Sequence, residues 1–256
     1  MNNSENYYFN VKIEFDKEIV DNIIQNAISK GKVGYVCSIE SNNLTEANRN
    51  NEFLIVINEA LVNICDGSNL ARILGFLHKK PFSSYIGADL FLKYIRMCKY
   101  KQYFLGNTQN VLDGLKSNLS KIDPNIKNMN FDTLPFCKAE DFDYKLIADK
   151  INTANPDIIW ISLGAPKQET FMHKLQPFLN RGVMFGFGAI FNFYAGTDNV
   201  RRAPKWMLAN KLEWLYRAYE EPKKNVPRYY RFLKKLPYLM KEEKDKLKKY
   251  KRISKE

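Results

Sequence analysis

The chain has 256 residues, 45% of them hydrophobic, which suits one core with an appendage. No apolar run approaches the ~20 residues that span a bilayer, and the four cysteines and two histidines compose no familiar zinc set. The net charge of +12 sits in one place, because residues 201–256 hold 19 Lys+Arg against 7 Asp+Glu while the first 200 residues hold 21 of each.

The opening MNNSENYYFN lacks the basic-then-apolar order of a signal peptide. Cys37, Cys65, Cys98 and Cys137 read as reduced, mostly packing thiols of a cytosolic protein. The first predicted strand is Val33–Ile39, and a helix begins at Leu44–Arg49. Leu61–Cys65 is a strand, while Ser68–Leu77 and Leu90–Cys98 are helical in pattern. Gln102–Leu105 is a strand, Val111–Leu119 a helix, Ile126–Phe131 a weak strand and Tyr144–Ile151 a helix. Asp157–Leu163 is the clearest strand, with Glu169–Leu179 helical after it and Val183–Phe187 the last strand. Strands alternating with helices predict an α/β fold with a mostly parallel sheet covered on both faces, whose ligands gather at the carboxyl ends of strands. Beyond Gly196 the pattern changes to a basic, aromatic helical segment. Trp206–Tyr219 is one helix, Asn225–Pro227 a break and Arg228–Leu239 a second helical stretch; the charged run from Lys241 reads as a frayed helix or a disordered end.

Two turns stand at strand ends. In Gly164-Ala165-Pro166 an apolar strand feeds a helix whose first turn carries Lys167, Gln168 and Glu169, and free N–H groups there suit an anion. Asp66-Gly67 follows the Leu61–Cys65 strand, and by itself reads as a turn aspartate. Gly106-Asn107 likewise reads as a strand–turn–helix link or as part of a nucleotide site.

Four ordered blocks carry a resemblance: LGAPKQE, GFGAIFNFYAG, RAPKW and KLEWLYR. Together they resemble LGxPKQE, GVGxxFDxxAG, RAPxW and GLEWLYR of the WecG/TagA/CpsF glycosyltransferases (family 26). The resemblance implies a Rossmann-like domain over about 1–197 and a basic, membrane-associating helical appendage over 198–256. It also implies an inverting transfer of a hexose or N-acetylhexosamine from a UDP-sugar to a polyprenyl-diphosphate-linked sugar, without metal or other cofactor. Such a protein works at the cytoplasmic face of the membrane in teichoic acid, capsule or related polysaccharide synthesis.

By the same resemblance Asp66 becomes the general base, since a sugar hydroxyl is a poor nucleophile and a carboxylate must accept its proton. Gln168 falls in the active-site pocket, with Lys167 either beside it or on the solvated surface. Arg217, Lys224 and Arg228 match the cations the appendage brings over that pocket, and Arg201, Arg202 and Arg231 complete the basic set. Four positions depart from the family: Ser38 and Glu40 stand where it has threonine and asparagine, Asn192 replaces an aspartate, and the fourth is Ser84. Ser84 marks a place where the family has an arginine. Ser38, Glu40, Gly106, Asn107 and Asn192 are the further predicted substrate contacts. The departures favour either an altered sugar or a non-catalytic scaffold of the same pathway. The charged segment alone also suits nucleic acid, but no RNP, helix-turn-helix or finger pattern accompanies it. The oligomeric state stays open, a homo-oligomer included.

Overall fold

A computed structural model describes residues 6–196, 203–204, 206–207, 210 and 212–253. The predicted domain boundary at 197/198 and the cations Arg201 and Arg202 lie outside the described residues. A short antiparallel hairpin (β1, Tyr7–Tyr8; β2, Val11–Lys12) leads into α1 (Lys17–Ser29), β3 (Val33–Ile39), α2 (Ser41–Ala47) and α3 (Asn51–Asn58). Then follow β4 (Val62–Cys65), α4 (Ser68–His78), α5 (Gly87–Arg96), β5 (Gln102–Gly106) and α6 (Gln109–Leu119). The chain continues through β6 (Asn130–Asp132), α7 (Tyr144–Ala154), β7 (Ile158–Ser162), α8 (Lys167–Leu175), β8 (Gly182–Gly186) and α9 (Gly188–Ala195). It ends in α10 (Glu213–Glu220) and α11 (Pro222–Ile253).

Strands β3 to β8 form one six-stranded sheet in the order β4-β3-β8-β7-β5-β6, every pair parallel. Their side chains alternate between two cores, as the period of two demands. Tyr35, Cys37 and Ile39 of β3 join α2, α3, α4 and α8 on one face, while Val36 joins α1, α5, α6 and α9 on the other. Trp160 is fully buried in the second core, where its indole N–H donates to Gln102 Oε1 at 2.6 Å.

Several elements depart from expectation. The helix α1 was not anticipated, although Asp16 caps it through Glu18 N and Ile19 N and Val20, Ile24, Ala27 and Ile28 are buried. The predicted strand at Ile126–Phe131 is a 3₁₀ turn (Pro124–Asn128) followed by the three residues of β6. The predicted helix to Leu179 stops at Leu175 and tightens into a 3₁₀ turn, where Pro177 offers no N–H. Of the helix expected over Trp206–Tyr219, α10 supplies the described part beyond Leu212.

The largest correction concerns the end of the chain. Neither the break at Asn225–Pro227 nor a disordered end from Lys241 is present, because α11 runs unbroken through Pro227 and Pro237. An interior proline costs about 3 kcal/mol or more, and packing offsets it. Phe232 and Leu239 are buried in the first core, with Leu236 and Met240 packed against it. The charged stretch is held too: Glu243 is 3% exposed, accepts from Phe9 N at 3.0 Å and lies 2.9 Å from His78 Nε2. No helix among the described residues is long and apolar enough to cross a membrane.

Candidate active site

Parallel register fixes which loops meet. Ser38 pairs with Ile64 and Ile39 with Cys65, so Asp66, one residue past β4, comes level with Glu40, one past β3. The Asp66 N–H donates to Ile39 O at 3.0 Å and closes this corner. Its carboxylate accepts from Ser38 Oγ at 2.7 Å and from Gly87 N at 3.0 Å. Two fixed donors orient the group while it remains partly exposed. Burial pushes the Asp66 carboxyl up from its ordinary value; the Ser38 hydroxyl, the Gly87 N–H and the Arg217 charge pull against it, and Glu213 pushes it further up. An aspartate poised this way is a stronger base than one in water.

Glu40 stands beside it at the start of α2, half-buried, with no capping hydrogen bond of its own. Burial raises its carboxyl, Arg217, Arg228 and Lys224 lower it, and Asp66 raises it. Three cations of the C-terminal helices thus act on a carboxylate at the sheet edge. They arrive there because Asn225 staples the turn between α10 and α11, donating from Nδ2 to Arg217 O at 2.8 Å, and Trp214 meets Tyr229 edge-on at 5.9 Å. Arg217 also pairs with Glu213 at 2.9 Å and lies over the Phe193 ring. Burial works against its charge, and Glu213, Glu40 and Asp66 more than offset that. Arg228 reaches Ala165 O at 3.4 Å, at the loop before α8, whereas Lys224 bonds Glu221 in solvent. Arg231 is not brought in; it is exposed and bonds Pro227 O on its own helix.

A second group forms where β5, β7 and β8 end. Gly106 has φ +96°, and a Cβ there would lie 2.6 Å from Ser162 O, so only glycine lets the two backbones pass. Asn107 donates to Ser162 Oγ at 2.9 Å and to Asn192 Oδ1 at 2.8 Å, tying the ends of β5 and β7 to α9. Asn192, where the family has aspartate, is therefore an acceptor in this corner.

Gln168 joins the two groups. Its Nε2 donates to Gly186 O at 2.7 Å and to Glu169 Oε1 at 3.0 Å, while its Oε1 accepts from Gly164 N at 3.2 Å and Gly188 N at 3.1 Å. Both donors and both acceptor positions are filled by protein. In this structure Gln168, a predicted substrate contact, clamps the β7–α8 loop to the β8–α9 loop, and it takes the Gly164 N–H of the turn expected to suit an anion. Lys167 likewise turns aside, its Nζ donating to Cys137 O and lying over Phe142 and Phe136. Ser84, in place of the family's arginine, bonds Ser68 at 3.1 Å.

Sequence reasoning passed over Asn43 and gave Glu169 only a place in the first turn of α8, yet both are buried and polar. Asn43 Nδ2 donates to Ser38 O at 2.9 Å and to Glu169 Oε1 at 3.1 Å. Their remaining oxygens, Asn43 Oδ1 and Glu169 Oε2, are buried without a partner. Burial lifts the Glu169 carboxyl to about 7, against the Gln168 and Asn43 hydrogen bonds and with Glu40 adding to the rise.

The model of the glycosyl transferase WecG/TagA/CpsF family matches residues 8–252, from the first hairpin to the last turn of α11. This chain belongs to that family. It is a glycosyltransferase. Among its relatives is the N-acetylglucosaminyldiphosphoundecaprenol N-acetyl-beta-D-mannosaminyltransferase of Bacillus subtilis (strain 168), 30% identical over 209 residues, 77% of this chain and 78% of that protein. The protein of the same name from Bacillus spizizenii is 28% identical over 72% of each chain. That from Staphylococcus aureus (strain NCTC 8325) is 28% identical over 65% of this chain and 64% of its own.

Proposed function

We propose that this glycosyltransferase moves an N-acetylmannosamine-type residue from a UDP-sugar onto a sugar carried by a polyprenyl diphosphate, with inversion, in cell-surface polymer synthesis. One observation carries the reading: Asp66 is fixed by Ser38 and Gly87 at a strand end and shares that edge with Arg217 from the C-terminal helices. The names of the relatives support the choice of sugar and of a lipid-linked acceptor.

The chemistry needs one base and one patch of positive charge. The acceptor hydroxyl oxygen bonds the anomeric carbon as the bond from that carbon to the diphosphate breaks, and Asp66 takes the hydroxyl proton. The diphosphate leaves with the electron pair and needs charge neutralisation rather than a proton. Arg217 and Arg228 are placed to give it; Lys224 is a point charge on the rim and contributes less geometry. Glu40, a carboxylate where relatives carry an amide, accepts hydroxyl hydrogen bonds and helps to select the sugar.

The lipid acceptor accounts for the outer face of the C-terminal helices. Leu215, Tyr219, Tyr230, Leu233 and Tyr238 are exposed among lysines and arginines, the composition of a helix that lies in a membrane interface. The test is direct: purified protein, UDP-N-acetylmannosamine and a polyprenyl-diphosphate N-acetylglucosamine in anionic vesicles. Release of UDP with formation of a lipid-linked disaccharide is the expected result, and no product from any UDP-N-acetylhexosamine would overturn the proposal.

A further inference from the structure

We infer that Glu169 is a positioning residue for the transfer, its one accepting oxygen coupling the support of the Asp66 base to the clamp on the neighbouring strand ends. The inference rests on the proposed function and adds a residue to it.

Glu169 Oε1 accepts from two side-chain amides at once, Asn43 at 3.1 Å and Gln168 at 3.0 Å. Each amide spends its other hydrogen on the site. Asn43 holds Ser38 O at 2.9 Å, and the Ser38 hydroxyl in turn holds Asp66. Gln168 holds Gly186 O at 2.7 Å, and its own oxygen gathers Gly164 N and Gly188 N. The path from the base to the β7–α8 and β8–α9 loops therefore runs through one atom. Glu169 is 0% exposed, and no salt bridge among the described residues involves it. A buried carboxyl without a cation is costly, so stability alone would favour a leucine of similar volume. An acceptor for two converging amides is what the carboxyl supplies and leucine cannot. The spacing of the two loops against Asp66 sets how a donor sugar meets the base, and a misplacement near 1 Å costs about 10²-fold in rate.

The test compares Glu169→Leu, Glu169→Gln, Asn43→Ala and the Asn43→Ala/Glu169→Leu double variant in the disaccharide-forming assay, with urea unfolding alongside. Glu169→Leu should lower kcat about 10- to 100-fold at an unchanged or higher unfolding midpoint. Glu169→Gln, which keeps an acceptor oxygen, should stay within about five-fold of wild type. Asn43→Ala should lose a similar factor, and the double variant should lose no more than the worse single. Wild-type kcat in Glu169→Leu, or in Asn43→Ala if the leucine variant fails to fold, overturns the inference; so do additive losses. Amide hydrogen exchange at Gly164 and Gly188 reads the clamp without turnover and should quicken about tenfold in Glu169→Leu. Unchanged protection there refutes Glu169's role even where wild type is inactive, whereas inactivity with quickened exchange counts against the proposed function alone.

Discussion

Replacing Glu243 by alanine asks whether the C-terminal helix is part of the fold or an attachment to it. Glu243 is 3% exposed and meets two groups far away in the chain, the Phe9 N–H at 3.0 Å and His78 Nε2 at 2.9 Å. Phe9 is 1% exposed, so its amide has no water to replace the lost acceptor. One stranded buried donor costs about 1–3 kcal/mol, and the lost hydrogen bond between the Glu243 carboxyl and His78 adds about 1.5–3 kcal/mol, together on the order of 3–5 kcal/mol. For a chain of this size a loss of 3–5 kcal/mol corresponds to about 6–20 °C in Tm if unfolding is cooperative. If α11 instead leaves alone, Tm moves little and trypsin cuts faster at its lysines. Thermal unfolding and timed proteolysis together cover both cases. His78→Ala should be sub-additive with Glu243→Ala, since the two share one contact. Unaltered Tm and unaltered proteolysis in Glu243→Ala would refute the view that this clasp docks the helix.

Further outcomes follow from the site. Asp66→Asn should cut turnover by about 10²–10⁴ with donor binding nearly intact; turnover within a few-fold of wild type removes Asp66 from the mechanism. Glu40→Asn should change the preference among UDP-sugars more than it changes stability, and identical kcat/KM ratios across a sugar panel would rule out a selecting role. Glu169 has a folded value near 7 against 4.5 unfolded, so the folded state holds its proton longer. Its contribution is therefore complete below about pH 4.5 and is lost as pH rises to about 7, by roughly 3 kcal/mol. Urea unfolding of Glu169→Gln and wild type should diverge in favour of the variant between pH 5 and 8; parallel curves would contradict the assignment. Binding to anionic vesicles should weaken steeply with salt, each basic residue near the surface contributing about 1 kcal/mol before screening, and salt-indifferent binding would point to another use of the tail.

The sheet was legible because fully buried parallel strands read as apolar runs ended by glycine, as in Ile158–Ser162 and Gly182–Gly186. The helix α9 was not, since it begins at a glycine and, apolar but for Asn192, shows no polar face to mark a period. Pro227 and Pro237 argued for a break, and local rules could not weigh them against Phe232 and Leu239 packing on a distant core. In the site, Asp66, Ser38 and Glu40 could be placed together from motif and strand ends alone. The inward turn of Lys167 and the saturation of Gln168 could not, because both depend on loops that neighbour them only in space. Glu243 shows the same limit, its partners lying 165 and 234 residues away.

That last separation has a consequence for how the molecule comes into being. The hairpin holding Phe9 leaves the ribosome long before the turn of helix that holds Glu243. Until α11 is made, the floor beneath it lacks its cover, and Arg217 lacks the scaffold that aims it at Asp66 and Glu40. A sheet can form early from its own strands, as units do during translation, but closure over the base is a long-range event of the kind that folds slowly. A chain that stops short of α11 therefore carries Asp66 without Arg228 and without the helix that seats Arg217.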